Sequence, residues 1–204
     1  REAHRKRGRL VGIGTGTGYF ADTMARRGWK VEAVEKSPQA RAFAKEHFDL
    51  DVKPESALQE FAPGSFDVIT LWHVMEHLEH LNETWEMLRE LLTEKGMLIV
   101  AVPNCSSYDA GRYGEYWAAY DVPRHLWHFT PVTIQQLASR HGFIMAARHP
   151  MPFDAFYVSM LSEKHRGSSC SFLKGMYAGT LAWFSTLGRK ERSSSMIYVF
   201  RKKR

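Results

Sequence analysis

Three glycines at alternate positions, Gly14, Gly16 and Gly18, follow directly on a short apolar run from Leu10 to Ile13. A stretch with helical character then runs from about Thr17 to Arg27, and Gly28 stops it. Strand, glycine turn and helix in this order form one edge of a nucleotide site. Glycine lets the backbone turn tightly and lets a ligand approach it, and the helix N-terminus adds free N–H groups and a positive dipole. The spacing narrows the choice. A dinucleotide fingerprint reads G-x-G-x-x-G, but counted from Gly12 the sixth position is Thr17, and counted from Gly14 it is Tyr19. A phosphate loop needs a Gly-Lys-Ser/Thr ending, and this turn has none.

The segment Lys30 to Glu35 reads as a second strand with an acid at its tip. In a right-handed β-α-β unit that tip lies beside the first turn, where a carboxylate can hold a ribose diol. Ser37 and Pro38 supply a cap and a first-turn residue for the following helix.

The glycine turn, Glu35, the strand Phe66–Leu71 and the segment Trp72-His73-Val74-Met75-Glu76-His77-Leu78 together resemble the class I S-adenosylmethionine (SAM)-dependent methyltransferases. The resemblance spans nearly the whole chain. It implies SAM as cofactor, with S-adenosylhomocysteine as product, and a doubly wound α/β fold. The sheet would have seven mostly parallel strands, with an antiparallel last strand and a helical insertion before it. Gly14, Thr15, Gly16, Gly18, Tyr19, Glu35, Ser56, Leu71, Trp72 and His73 fall at the family's cofactor positions, with Ala57 beside Ser56 near the adenine. The chain departs from the pattern at Gly12, where the family usually carries an acid that helps to hold the methionine end. The family often has a helix ahead of the first strand, so residues upstream of Arg1 are expected.

The remaining elements follow from period and punctuation. Pro38 to Phe48 places Ala40, Phe43, Ala44 and Phe48 on one helical face. Asp51 to Pro54 is a short third strand, and Phe66 to Leu71 has the near-continuous apolar character of a central parallel strand. Asn82 is expected to cap a helix running to Leu92, with Gly96 closing it, and Met97 to Val102 is a fifth strand. Thr130 and Pro131 open a helix that reaches His141, and Gly142 stops it. Phe143 to Arg148 and Met196 to Phe200 are the last two strands. The insertion, about 150–195, contains an amphipathic helix from Phe172 to Leu187. That helix is read as an ordinary packed element, as a cover for the active site, or as a peripheral membrane contact.

The 204 residues are read as a single domain with ample apolar content for one core. Two cysteines, Cys105 and Cys170, form no metal or disulfide pattern and suit a reducing cytoplasm. The net charge of +6 sits at the ends. Residues 1–9 carry five basic and one acidic side chain and residues 189–204 carry seven and one, which leaves 16 basic against 20 acidic in residues 10–188. A nucleic-acid enzyme needs a basic body, so a small-molecule acceptor is favoured and nucleic acid is not.

Two constellations carry chemistry. His73-Val74-Met75-Glu76-His77 spells H-x-x-E-H, which on a helix would put two imidazoles on one face for zinc. Because the preceding strand and the SAM-type turn explain this segment better, no metal is assigned. His73, Glu76 and His77 remain the residues that would hold one. The second is the run Tyr116 to Phe129, dense in Tyr, Trp, His and Arg, at the carboxyl edge of the sheet where open α/β folds bind ligands. His125 and His128 are the candidate bases for a hydroxyl acceptor, Asp121 a candidate orienter, and Arg124 a candidate anion holder. Tyr19, Phe20 and Trp72 would offer aromatic faces to a sulfonium. The leading function is methyl transfer from SAM to a small or lipid-like acceptor, at oxygen. A protein or RNA methyltransferase, an inactive cofactor-binding module and a plain dinucleotide dehydrogenase are the alternatives.

Overall fold

The computed structural model describes residues 8–203, so most of the basic N-terminal run and Arg204 lie outside the described residues. Seven strands appear in chain order: β1 (Arg9–Ile13), β2 (Lys30–Val34), β3 (Val52–Lys53), β4 (Phe66–Trp72), β5 (Leu92–Pro103), β6 (Phe143–Met151) and β7 (Ser195–Lys202). Between them lie α1 (Tyr19–Arg26), α2 (Pro38–Phe48), α3 (Leu81–Leu91), α4 (Tyr108–Tyr113), α5 (Pro131–Arg140), α6 (Asp154–His165) and α7 (Ser171–Gly188). One sheet takes all the strands in the order β3-β2-β1-β4-β5-β7-β6. Strands β1 to β5 are parallel to one another, and β7 runs antiparallel between β5 and β6. The expected seven-stranded α/β sheet with an antiparallel last strand is therefore present.

The strands form where the sequence stays apolar. In β4, Phe66, Val68, Ile69, Thr70 and Leu71 are all buried, as a strand covered on both faces requires. Neighbouring residues feed opposite faces of the sheet. Val34 joins the large core with Trp85, Leu88 and Phe200, whereas Ala33 joins a smaller one with Ala21 of α1 and Ala44 of α2. Trp85 is the hub of the large core, its ring edge-on to Phe143 at 5.4 Å and to Phe200 at 5.5 Å.

The caps hold in most places. Ser37 Oγ accepts from Ala40 N at 3.3 Å, and Thr130 and Thr133 form a reciprocal capping box at the start of α5. Two expectations fail. Asn82 does not cap α3: the cap position is His80, whose carbonyl accepts from Thr84 N, and Asn82 Oδ1 faces His141 Nε2 at 3.0 Å instead. Gly96 does not close that helix, because α3 ends at Leu91 and β5 begins at Leu92. Gly96 lies inside the strand, where a Cβ would sit 2.6 Å from Leu92 Cδ2 and 3.1 Å from Phe66 O, so close strand packing accounts for the glycine. The H-x-x-E-H segment is no helix either. His73 has φ 53°, and only Met75–His77 form a single 3₁₀ turn, so the two imidazoles share no helical face.

Candidate active site

At the carboxyl end of β1 the chain reverses through Gly14, Gly16 and Gly18, with φ of 66°, 57° and 90°. Gly14 N and Thr15 N donate to Val34 O at 2.8 and 3.1 Å, which fastens the turn to the end of β2. A Cβ on Gly14 would collide with Val74 Cγ2, so glycine is required there for space as well as for conformation. Glu35, one residue past β2, closes the arrangement. Its Oε2 accepts from Gly16 N and its Oε1 from Ser37 N, each at 2.8 Å. One carboxylate thus ties the glycine turn to the start of α2.

Two cavities flank this turn and share Ile13 and Gly14. The first, about 470 Å³, is lined by Glu35, Lys36, Glu55, His73, His77 and neighbouring residues. The second, about 400 Å³, is lined by Gly12, Thr15, Tyr19, Phe20, Thr70 and Trp72. Thr15 Oγ1, Thr70 Oγ1 and Trp72 Nε1 are buried without a protein partner. A Cβ on Gly12 would meet Thr15 Oγ1 at 3.5 Å and Thr70 Oγ1 at 3.7 Å, so the place of the missing acid is bordered by two hydroxyls.

His73 lies between two carboxylates from different parts of the chain. Its Nδ1 is 3.5 Å from Glu76 Oε1 and its Nε2 is 3.6 Å from Asp154 Oδ2 at the start of α6. Burial disfavours the imidazolium, but Asp154 and Glu76 outweigh it and push the pKa up to about 9. Burial likewise opposes the Asp154 carboxylate, and bonds from His73 and Ser195 hold its pKa below the ordinary range. A raised His pKa contributes stability in full below the unfolded value near 6.5 and loses it as pH rises through about 9. Melting curves of the wild type and Asp154→Asn should therefore differ most near pH 6 and converge by pH 10. A gap that is constant over that range would break the assignment. Because His73 is 39% exposed, the gap is expected to be small.

The Glu76 side chain is almost fully buried, and its carboxylate oxygens have no hydrogen-bond partner. His77 Nδ1 meets Arg124 O at 2.9 Å, and the His77 ring packs edge-on against that of His125 at 4.6 Å. Donor atoms of Glu76, His77 and His125 lie within 4.8 Å of one another. The metal-type grouping thus contains His125 where the sequence offered His73.

The aromatic run is held largely by its own backbone. His125 Nδ1 meets Ala119 O at 2.8 Å, while its Nε2 is 3.9 Å from Asp121 Oδ2. Asp121 Oδ1 takes two bonds from Arg124. His128 Nε2 meets Tyr120 O at 3.0 Å, and its side chain lines a separate depression beside α5, with Leu81, Thr133 and Leu137. His125 is therefore brought to the back of His77, and His128 is not.

A methyltransferase domain family model matches residues 1–147, well over half of the chain. The chain belongs to the class I SAM-dependent methyltransferases. Its relatives include two ubiquinone biosynthesis O-methyltransferases. The mitochondrial one from Schizosaccharomyces pombe is 33% identical over 46% of this chain and 37% of its own length, and one from Caulobacter sp. strain K31 is 34% identical over 47% and 41%. The matched segment thus spans well under half of those relatives. Among solved structures, phosphoethanolamine N-methyltransferase 2 from Haemonchus contortus, in complex with SAM, superposes with a TM-score of 0.65 at 19% identity. It covers all of this chain and half of its own.

For a SAM-dependent methyltransferase the residues present fit the cofactor. Glu35 has a half-buried carboxylate at a cavity edge, Gly16 leaves open space where a Cβ would stand, and three buried polar atoms border the second cavity without partners. Of the residues assigned from sequence, Gly14, Thr15, Gly16, Tyr19, Glu35, Trp72 and His73 line these cavities. Gly18 is the cap of α1 rather than a wall. Leu71 is fully buried in the core, and Ser56 is exposed on a 3₁₀ turn, with Glu55 in the lining instead. Sequence reasoning missed Asp154 and the hydroxyl of Thr70, because only the insertion and the strand register bring them to the turn.

Proposed function

We propose that this chain transfers the methyl group of SAM to a hydroxyl oxygen of a small or lipid-like acceptor. One observation carries the reading: Glu35 holds the glycine turn through Gly16 N beside a cavity large enough for a nucleoside. SAM, when bound, supplies an activated methyl on a sulfonium. The residues around it have three tasks. Glu35 offers its remaining acceptor positions to a diol. Thr15, Thr70 and Trp72 offer unpaired donors beside Gly12. His77 lines the first cavity with Nδ1 engaged on a carbonyl, so its other nitrogen can accept the hydroxyl proton. His125 and Asp121 position it from behind, and His128 fastens the aromatic run.

The name of the relatives, ubiquinone biosynthesis O-methyltransferase, supports oxygen as the methylated atom and a partly apolar acceptor. The reading takes the chain as a single domain in the cytoplasm, supported by two free cysteines. It takes a small-molecule acceptor in preference to nucleic acid, given the acidic body, and needs no metal. It includes peripheral membrane contact through α7. Among the described residues no helix is long and apolar enough to cross a membrane.

The test is transfer of labelled methyl from SAM to a panel of phenolic and lipid acceptors. His77→Ala should lower kcat by about 100-fold or more, as loss of an acid–base group does, His125→Ala should lower it less because His125 acts through the placement of His77, and His128→Ala should act through stability alone. Unchanged kcat in both of the first two removes the base assignment. Cofactor binding with no turnover on any acceptor would favour a binding module, the reading that Gly12 supports.

A further inference from the structure

Helix α7 is built inside out. Its buried positions are small: Gly175, Ala178, Gly179, Ala182 and Thr186. A Cβ on Gly175 would stand 2.5 Å from Met160 Cα and one on Gly179 2.7 Å from Phe156 Cα, so the two backbones touch. The glycines of α7 make room for Phe156 and Met160 of α6, whose side chains would also meet those Cβ atoms. At about 100° per residue, the small residues of α7 form one narrow stripe and Leu173, Tyr177, Phe184 and Leu187 lie away from it, with Phe172 in the first turn of the helix. Phe172, Leu173, Tyr177, Phe184 and Leu187 are each between 56% and 68% exposed. A water-facing helix does the reverse, burying its large apolar residues. A seam of small residues with large apolar ones outside is how helices pack in an apolar surrounding, and a contiguous exposed apolar patch marks an interaction surface.

Charge selects the occupant. Lys164, Arg166, Lys174, Arg189 and Lys190 are exposed along and at the ends of this hairpin. Its acids are engaged elsewhere: Asp154 with His73, Glu163 buried and accepting from the Tyr113 hydroxyl, and Glu191 beside Arg148. A second copy on this face would set cation against cation. We propose that the α6–α7 hairpin docks on a bilayer bearing anionic headgroups, with Phe172, Leu173, Tyr177, Phe184 and Leu187 in the interfacial layer and the lysines and arginines against the headgroups. This deepens the membrane contact in the functional reading and rests on it. Asp154 ties the start of the hairpin to His73 in the cofactor cavity, which joins the docked element to the site.

The test is co-sedimentation of the full chain with vesicles of phosphatidylcholine, with and without phosphatidylglycerol, alongside calorimetry with SAM. The wild type should bind the anionic vesicles at least about tenfold more tightly than the neutral ones and release them in high salt. Phe172→Asp with Phe184→Asp, and separately Lys174→Glu with Arg189→Glu, should lower binding by about tenfold or more while SAM affinity stays unchanged. No binding by the wild type overturns the proposal, as do vesicle binding that ignores both double variants and a self-association that the Phe172/Phe184 variant abolishes. Loss of SAM binding in the wild type would instead sink the functional reading, and vesicle binding would report on the hairpin alone.

Discussion

Glu35→Ala should weaken SAM binding by about 100-fold or more, which takes a micromolar ligand beyond the reach of ordinary calorimetry. The carboxylate does two things at once. It accepts from Gly16 N and Ser37 N, and so fixes the shape of the glycine turn and the start of α2. It also faces the cavity with acceptor capacity left over. A hydrogen bond to a charged group contributes about 1.5–3 kcal/mol, and about 2.7 kcal/mol is a hundredfold in affinity. Removing the side chain deletes any bond to the ligand and leaves two half-buried N–H groups unpaired. Glu35→Gln keeps the side-chain size and one acceptor oxygen but sets an amide NH2 against Gly16 N–H or Ser37 N–H, and with one turn bond retained it should cost less, about tenfold. Because Glu35 lies outside the main core, far-ultraviolet circular dichroism of both variants should match the wild type. A folded Glu35→Ala protein that binds SAM within threefold of the wild type would mean that the ribose is held elsewhere, and the cavity assignment would fall with it.

The turn and Glu35 were legible because local chemistry and topology agree there. Alternating glycines after an apolar run leave few backbone solutions, and a right-handed crossover then returns the tip of β2 to the turn. The strands were legible from their apolar runs, and the antiparallel pairing of β7 followed from the family resemblance rather than from its residues. What misled was punctuation read without packing. Gly96 resembles a helix stop, yet Phe66 and Leu92 crowd it inside β5. Asn82 resembles a cap, yet His141 captures its side chain. The aromatic run was rightly placed at the carboxyl edge, but sequence could not show that His128 closes on the Tyr120 carbonyl while His125 reaches His77. Nor could periodicity say which face of α7 turns inward: an apolar stripe is visible, but its partner is not. Small residues such as Gly175 and Gly179 decide that, through a backbone contact with α6 that has no local signal.

Trp85→Ala should destabilise the protein by about 3–5 kcal/mol, the range for emptying a large aromatic site in a core. Trp85 is fully buried and packs edge-on against both Phe143 of β6 and Phe200 of β7, so it joins α3 to the last two strands. For a chain of this length a loss of that size lowers the melting temperature by roughly 6–20 °C. Trp85→Phe separates two contributions. The indole N–H has no partner in its buried place, and an unmet donor costs about 1–3 kcal/mol. Phenylalanine removes that donor while leaving a smaller void, so the two effects oppose each other and the net loss should stay under about 1.5 kcal/mol. Urea denaturation of the three proteins, with the slopes compared to confirm a common unfolding transition, measures both numbers. If Trp85→Phe costs nearly as much as Trp85→Ala, the indole N–H has a partner in solution, and a buried water between α3 and the sheet would be the group to find.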